Sequence, residues 1–520
     1  MVKDAAASVI RAAWMPCLIF CVAVTFRLWH ITTYPPIEGL ARGEEAQWGL
    51  GLSRMLAGAP WFYEGLPETL LLMAMAWCTH LTVWTLRVTM AVWQSTAPLA
   101  TYWTVCILTR DRRAALLAGV AFACAQYAAI YARIACGDMT GAPFLAWMLC
   151  ACALVSDRPA RRWPWALLGL LVAACLYDHL GIRVAVLPVI AWAAWLCWRQ
   201  RDAWRGAVLA AAVCALACVP LVTILRRDPS IWRYYWLDNV TRHQSVLLHP
   251  TQWAGERLAL IARLAFGGTG SMSFPYATHG IDLCMGVLLV IGVGAVVWRR
   301  AVTGLLCVGL LALYVLGNVS TVSFCSFRLM LALPFVFVLV GLGASSVLGR
   351  APRHLRWGLV VGLLVWECWW NATTLAVAME QPGSWALFFQ DHYAMAELIP
   401  RYVPPGVRVV VVGRRVTFGP HDYSWRYEQE GYTGETIAPE LLPGYVAVPP
   451  VALVLTHVDI ADSPSAWDQW RTAHLEPVVI AAILRGATAP CVDWTNPHAP
   501  FASAVTICVV LPGPAHGSGG

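Results

Sequence analysis

The sequence carries little charge for its length of 520 residues, and lysine is almost missing from it. Charged residues make up 12% of the chain and hydrophobic residues 59%, whereas a soluble domain has about twice that charged fraction. Lys3 is the only lysine, so the remaining basic residues are arginines. This composition excludes an ordinary soluble domain and predicts a polytopic α-helical membrane protein. The net charge of +7 therefore does not imply a nucleic-acid partner, because arginines in this class mark loops on one side of a membrane.

Other signals are missing as well. The 18 cysteines include no CxxC pair and no Cys/His zinc spacing, and most of them lie in apolar runs where they act as small hydrophobic residues. Cys491 and Cys508 lie nearer the C-terminus, and their spacing leaves open whether they pair. No small-residue cleavage site follows the first apolar run, which predicts an uncleaved span. No internal repeat of the kind found in many transporters is visible.

Arginine clusters divide the apolar runs and set the topology, because short basic loops face the cytoplasm. An even number of crossings must separate consecutive clusters. With the N-terminus inside, this parity predicts about 11 spans, outer-face loops at 30–86 and 225–280, and a C-terminus outside the cytoplasm. It makes 67–84 a juxtamembrane or re-entrant helix and 87–108 one span. The clusters are Arg110/Arg112/Arg113, Arg158/Arg161/Arg162, Arg199/Arg201/Arg205, Arg299/Arg300 and Arg350/Arg353/Arg356.

The composition changes near residue 376. Residues 1–375 are predicted to form the transmembrane domain, and 376–520 a small extracytoplasmic α/β domain with a disordered C-terminal end. Short apolar runs separated by Pro- and Gly-rich segments favour buried strands in this second domain. The runs are Val407–Val412, Val451–Leu455, Val478–Leu484 and Val505–Leu511.

Acidic residues lie at the mouths of two predicted spans. Glu44 and Glu45 follow the first span, and Asp138 follows Arg133 in a short outer turn. Carboxylates near hydrocarbon are costly, which favours a functional role, and partial desolvation would tune one of them as a general base. The alternatives are a solvated face of an interfacial helix for the glutamates and an ion pair or a helix N-cap for Asp138.

A second group of polar residues is predicted on the same face. Tyr177, His179 and Arg183 share one short turn, and Arg328 begins a later span. Arginines at span ends can simply snorkel to the interface, but a guanidinium is also well suited to grip a phosphate. Several arginines on one face favour phosphate binding. A single histidine is more often neither a base nor a metal ligand.

In this order the segments resemble the GT-C superfamily of polyprenyl-phosphate-sugar-dependent glycosyltransferases, in particular the bacterial protein O-mannosyltransferase and aminoarabinose transferase-like family. Glu44-Glu45-Ala46 is similar to the acidic pair of that family's first outer loop, in which the first residue is usually Asp. The pair Arg133 and Asp138 resembles its second outer loop. The turn from Tyr177 to Arg183 and the segment around Arg328 resemble two later motifs. The resemblance covers roughly residues 20–350.

The resemblance implies a sugar transfer from a polyprenyl-phosphate carrier to an acceptor at the outer face of the cell inner membrane. It implies Glu44 as the base, with Glu45 and Asp138 shaping the acceptor or sugar site. The phosphate would be bound by Arg183 and Arg328, with Arg133 as second choice, and Tyr177 and His179 are further candidates for substrate binding. A lipid, a glycan or a protein remains open as acceptor, no cofactor is certain, and a divalent metal is left open. The rival hypotheses are a transporter or lipid flippase and a catalytically inactive homologue with a structural role.

Overall fold

The computed structural model of the protein describes the following residues: 2–31, 49, 51–52, 55–56, 66–79, 83–134, 140–178, 180–227, 281–320, 326–380, 398–399, 401–412, 433–444, 449–456, 464–484, 487–494 and 505–512. They belong to two compact units. The helical unit holds the described residues 2–31, 66–79 and 85–380. The sheet unit holds those from 398 onward, together with the short pieces near residue 50 and residues 83–84.

The helical unit consists of helices joined mostly by short connections. The α-helices are α1 (Val2–Leu28), α2 (Leu66–Thr79), α3 (Val83–Gln94), α4 (Thr96–Thr109), α5 (Arg112–Cys124), α6 (Gln126–Tyr131), α7 (Ala142–Asp157), α8 (Arg162–Tyr177), α9 (Leu180–Arg183), α10 (Val186–Arg199), α11 (Ala203–Ala217), α12 (Val219–Arg227), α13 (Leu283–Arg299), α14 (Val302–Ser320), α15 (Leu333–Arg350) and α16 (Leu355–Glu380). A 3₁₀ helix, η1 (Ser326–Ala332), precedes α15.

Many of these helices present apolar side chains outward, as expected of spans that face lipid tails. Val290 and Leu187 are each 70% exposed. Among the described residues, three helical segments are long and apolar enough to cross a membrane, and a fourth is added if the bent pair α11–α12 is one span. Shorter apolar helices such as α7 and α8 accompany them. The predicted helical fold, with helices that are long and apolar enough to span a membrane, is therefore confirmed, while the number of spans stays a prediction.

One predicted span is interrupted. The run 87–108 was expected to be continuous, but the structure divides it into α3 and α4 at Ser95. The Ser95 hydroxyl donates to the Ala91 carbonyl oxygen over 2.7 Å, and such back-bonding by serine bends helices. The sequence does carry a signal for this break, because Pro98 has no N–H for the Gln94 carbonyl and its ring opposes a continuous helix there.

Glycines set the closest helix contacts of the unit. A β-carbon on Gly292 in α13 would overlap the Leu339 carbonyl oxygen of α15, and one on Gly343 in α15 would overlap the Leu288 carbonyl oxygen of α13. Small residues allow two helix backbones to approach in this way. Gly292 and Gly343 therefore allow the backbones of α13 and α15 to touch near the middle of both helices.

The sheet unit contains a mixed six-stranded sheet. Its order is β2-β1-β3-β6-β4, and β5 also pairs with β6. The pairings β1–β2 and β1–β3 are parallel, and β3–β6 is antiparallel. Alternate side chains of the central strands, such as Val410, Leu453 and Cys508, form one core with residues of the flanking helices. The strands are β1 (Arg408–Val412), β2 (Gly434–Ile437), β3 (Val451–Thr456), β4 (Ala487–Thr488), β5 (Cys491–Trp494) and β6 (Val505–Pro512).

Three of the four predicted strands are confirmed, as β1, β3 and β6, and the fourth prediction is wrong. The run Val478–Leu484 lies in the α-helix α18 (Glu476–Leu484), which follows α17 (Pro464–Trp470) and a π-helical turn (Arg471–Leu475). A short apolar run cannot be distinguished by periodicity from a buried helix segment. Pro477 near the helix start and the two alanines of the run favour the helix.

The open question about two cysteines is also answered. Cys491 of β5 and Cys508 of β6 form a disulfide. They are directly opposite each other in the antiparallel register of these strands, so strand pairing brings the two sulfurs together.

Candidate functional site

Several polar segments predicted from the sequence meet at one end of the helical unit, called here the polar end. It comprises the ends of α1 and α6, the start of α7, the turn from Tyr177 to Arg183, and η1. Helix α7 runs from this end to the arginine-rich end, where Arg110 pairs with Asp157. At 16 residues, α7 separates the two ends by about 24 Å.

Arg133 ties α6 to α1. Its side chain is fully buried. Its Nε donates to the Ala129 carbonyl oxygen over 2.9 Å, and its Nη2 donates to the Phe26 carbonyl oxygen over 2.7 Å. Both acceptors are backbone groups, and charge-assisted hydrogen bonds of this kind are strong. Arg133 therefore holds the end of α1 against the end of α6.

The start of α7 lies against the turn that follows α8. A β-carbon on Gly141 would overlap Ile182 Cδ1 and lie 2.7 Å from Asp178 Oδ2. Trp93 of α3 donates its indole N–H to the Thr140 carbonyl oxygen over 3.1 Å. Two of the predicted outer turns are therefore in direct contact, and Gly141 leaves room for the Asp178 carboxylate between them.

Tyr177 fixes the same turn from the other side. Its hydroxyl donates to the Ala217 carbonyl oxygen over 2.8 Å and accepts from the Leu221 N–H over 3.2 Å. These two residues flank the break between α11 and α12, where the pair bends by 44°. The tyrosine proposed for substrate binding thus joins the turn to this bend through backbone contacts.

Buried ionisable residues of opposite sign lie within this turn. Asp178 is 1% exposed and Arg183 is 4% exposed. Tyr314 of α14 is also buried, stacks on Phe335 at 5.7 Å between ring centroids, and lies within electrostatic range of Asp178. Ionisable groups inside a helical membrane unit mark functional sites by default.

The 3₁₀ helix η1, which carries Arg328, contacts both α6 and α7. The backbone of Arg328 thereby belongs to the polar end, while its side chain lies outside the described part of the structure. Glu44, Glu45, Asp138 and His179 also lie outside the described residues. The roles of these five side chains remain predictions.

The structure adds residues that the sequence reasoning missed. Asp178 and Tyr314 belong to the polar end, and Arg87 of α3 is fully buried. Asp178 could have been found from the sequence, because it is a carboxylate between the candidate residues Tyr177 and His179. Tyr314 could not, because a tyrosine near a membrane interface is common and does not by itself indicate a site.

A buried polar network supports the polar end from within the helices. Asn371 of α16 accepts the Gln126 N–H with its Oδ1 over 3.0 Å and donates to Glu367 Oε2 over 3.1 Å. Arg27 donates to the Ala123 carbonyl oxygen over 2.9 Å. These contacts satisfy backbone groups around the break between α5 and α6. They hold in place the short helix that leads to Arg133.

The question of a metal ion remains open from the sequence. Within the described ranges, no group of three His, Cys, Asp or Glu side chains is arranged to hold one. The carboxylates Glu44, Glu45 and Asp138 are not among the residues searched.

Comparison with known proteins identifies the fold. No family model and no curated protein matches the sequence. The solved structures that match it include ArnT from Cupriavidus metallidurans bound to undecaprenyl phosphate and the same protein in the apo state. Each has a TM-score of 0.56 and 14% sequence identity, and each match covers 98% of this chain. The match covers 99% of the liganded ArnT chain and 100% of the apo chain. The chain therefore has the fold of ArnT.

Proposed function

We propose that this protein is a membrane glycosyltransferase that moves a sugar from a polyprenyl-phosphate carrier to an acceptor at the outer face of the cytoplasmic membrane. The observation that carries the proposal is the meeting of Arg133, Asp178, Arg183 and η1 at one end of a unit with the ArnT fold. The solved ArnT structure contains undecaprenyl phosphate, a lipid of the class that the proposal requires.

In this proposal Glu44 takes the proton of the acceptor hydroxyl. The acceptor oxygen forms a bond to the sugar's anomeric carbon, and the bond from that carbon to the phosphate oxygen breaks. The lipid phosphate leaves with an added negative charge, which Arg183 and Arg328 stabilise. Glu45 and Asp138 shape the sugar or acceptor site, and His179 and Tyr177 line it. Asp178 joins the set because it is buried in the turn that carries Arg183.

Arg183 of the turn binds phosphate in this proposal, whereas Arg133, which follows α6, has a structural role. Two lysine variants test this difference. Arg183→Lys keeps the charge but loses the two parallel hydrogen bonds that a guanidinium makes to phosphate. We therefore expect the donor KM to rise about tenfold, which corresponds to the free energy of one hydrogen bond to a charged group. Arg133→Lys loses a contact to the backbone of α1, so we expect a lower melting temperature and an unchanged donor KM. Steady-state kinetics and thermal melts in detergent provide both readouts. An unchanged donor KM in Arg183→Lys would remove Arg183 from the phosphate site.

We further propose about 11 spans, with the polar end and the sheet unit outside the cytoplasm. The arginine clusters support this orientation. The disulfide between Cys491 and Cys508 also supports it, because disulfides persist in oxidising compartments.

Cysteine labelling of spheroplasts tests the topology. Asp468→Cys lies in the sheet unit, and Arg353→Cys lies between α15 and α16. We expect an impermeant maleimide to label Asp468→Cys in intact spheroplasts, and Arg353→Cys only after the membrane is broken. The parent protein supplies the background from native cysteines. The reverse pattern would overturn the orientation and, with it, the outer-face reaction.

A transporter remains the second candidate because Glu367 is a buried carboxylate well inside α16, where it interacts with Asp282. Purified protein in proteoliposomes with a radiolabelled polyprenyl-phosphate sugar separates the candidates. A glycosyltransferase releases or transfers the labelled sugar. A flippase moves the intact lipid between leaflets and leaves the sugar–phosphate bond unbroken. An inactive homologue does neither.

A further inference from the structure

We propose a second phosphate-binding site at the arginine-rich end of the helical unit, which takes the headgroup of an anionic phospholipid. The site is a cleft between α13 and α15, called here the arginine cleft. It consists of two adjoining cavities of about 320 and 590 Å³ that share Ala295 and Arg299. It lies at the opposite end of the helices from the polar end, and the proposal does not depend on the glycosyltransferase activity.

The cleft exists because of how α13 and α15 pack. The two helices touch at Gly292 and Gly343, where their backbones are as close as glycine allows. Below that contact, toward Arg299 and Arg350, the residues that line the larger cavity belong to both helices. The smaller cavity continues inward to Ser156 of α7 and Thr303 of α14, whose hydroxyls are 2.7 Å apart.

The cleft has the charge that an anion requires. Arg299 and Arg350 both line the larger cavity. Arg350 already donates from Nη1 to the Ser346 carbonyl oxygen over 2.8 Å, which orients its guanidinium on that wall. Within the described part of the chain, neither cavity is lined by a carboxylate. The nearby Asp157 is paired with Arg110 and with Arg158, so it does not neutralise the cleft.

The position of the cleft favours a lipid over a soluble anion. Its outer wall includes Trp298, which is 89% exposed, and tryptophans concentrate at membrane interfaces. Ile291 and Val347 give the same wall an apolar surface that suits acyl chains. Basic clefts between spans on the cytoplasmic side bind anionic headgroups, and a guanidinium matches phosphate geometry.

Native mass spectrometry of the full chain, delipidated in detergent, tests the proposal by titration with phosphatidylglycerol or phosphatidylcholine. We expect phosphatidylglycerol to bind at least tenfold more tightly. The double variant Arg299→Gln/Arg350→Gln should abolish this preference. Arg353→Gln serves as the matched control, because it removes one arginine of the same end without lining the cleft.

A second variant, Gly294→Leu, tests the same site without removing an arginine, so the proposal can still be tested if the double arginine variant does not fold. Gly294 lines the larger cavity, and a β-carbon there would meet nothing within 4 Å. Gly294→Leu should therefore fill the cleft without disturbing the helices. It should weaken phosphatidylglycerol binding while the melting temperature without lipid does not fall, because leucine favours a helix more than glycine does.

Three results would overturn the proposal. Equal affinity for the two lipids would remove the anionic preference. Full binding in Gly294→Leu would place the lipid elsewhere. Displacement of phosphatidylglycerol by millimolar inorganic phosphate would show a site for the free anion and not for a lipid headgroup.

Discussion

Glu44→Gln is expected to reduce turnover by about 10²-fold or more, the usual contribution of a positioned general base. Glutamine keeps the size and most of the hydrogen bonding of the side chain but cannot accept a proton at neutral pH. The variant should therefore insert and melt like the parent. Donor binding should also be retained, because the proposed phosphate contacts come from Arg183 and Arg328. The measurement is single-turnover transfer from a labelled donor, with donor affinity measured separately.

Two neighbouring variants make this result specific. Glu44→Asp should retain part of the activity, because the family that the motif resembles usually has aspartate at this position. Glu45→Gln changes the adjacent carboxylate by the same chemistry and should have the milder effect. If Glu44→Gln turned over at a near-normal rate, the base would have to be sought among Asp138 and Asp178, of which only Asp178 is described and buried.

The expected direction of the pH dependence follows from the same assignment. A general base acts in its deprotonated form, so activity should be lost as the pH falls through the pKa of the carboxyl group. In Glu44→Gln the remaining slow reaction should no longer lose activity as the pH falls through this range. If the loss of activity at low pH persisted in the variant, it would report the titration of another group.

Much of this fold could be predicted from sequence because a membrane imposes simple rules. Each of the five arginine clusters lies at a junction between two helices of the structure, from α4–α5 to α15–α16. The break at Ser95 escaped prediction because hydrophobicity alone defined the span, whereas Pro98 has no N–H for the Gln94 carbonyl and opposes a continuous helix. Val478–Leu484 was assigned wrongly because its apolar pattern fits a buried strand and a buried helix equally.

The segments that meet at the polar end could be predicted better than their contacts. Polar residues at span ends selected the segments around Arg133, Tyr177 to Arg183 and Arg328, which the structure brings together, while the roles of these residues stay predictions. The sequence could not indicate that Arg133 and Tyr177 bind backbone groups of α1, α11 and α12, because those partners are distant in sequence and carry no side-chain signature. The same applies to Asn371, whose amide accepts the Gln126 N–H from 245 positions away.

Gly343→Val is expected to cause the largest loss of stability, about 3 kcal/mol, at the upper end of what overpacking usually costs. The added β-carbon would overlap the Leu288 carbonyl oxygen and lie 2.9 Å from its carbon. Because these atoms belong to the backbone of α13, no side-chain rotation can relieve the clash, and the two helices must move apart. The melting temperature in detergent measures the effect.

Gly349→Val provides the control within the same helix. A β-carbon at Gly349 would meet nothing within 4 Å, so this variant makes the same chemical change in α15 without the clash, and its melting temperature should stay near that of the parent. Gly292→Val should repeat the loss from the other helix, where the Leu339 carbonyl is the obstacle. The double variant Gly292→Val/Gly343→Val should cost less than the sum of the two, because one separation of α13 from α15 relieves both overlaps. Strict additivity, or an equal loss in Gly349→Val, would mean that the loss does not arise from the contact between α13 and α15. Helix propensity alone would change the stability in the opposite direction, because valine favours a helix more than glycine does.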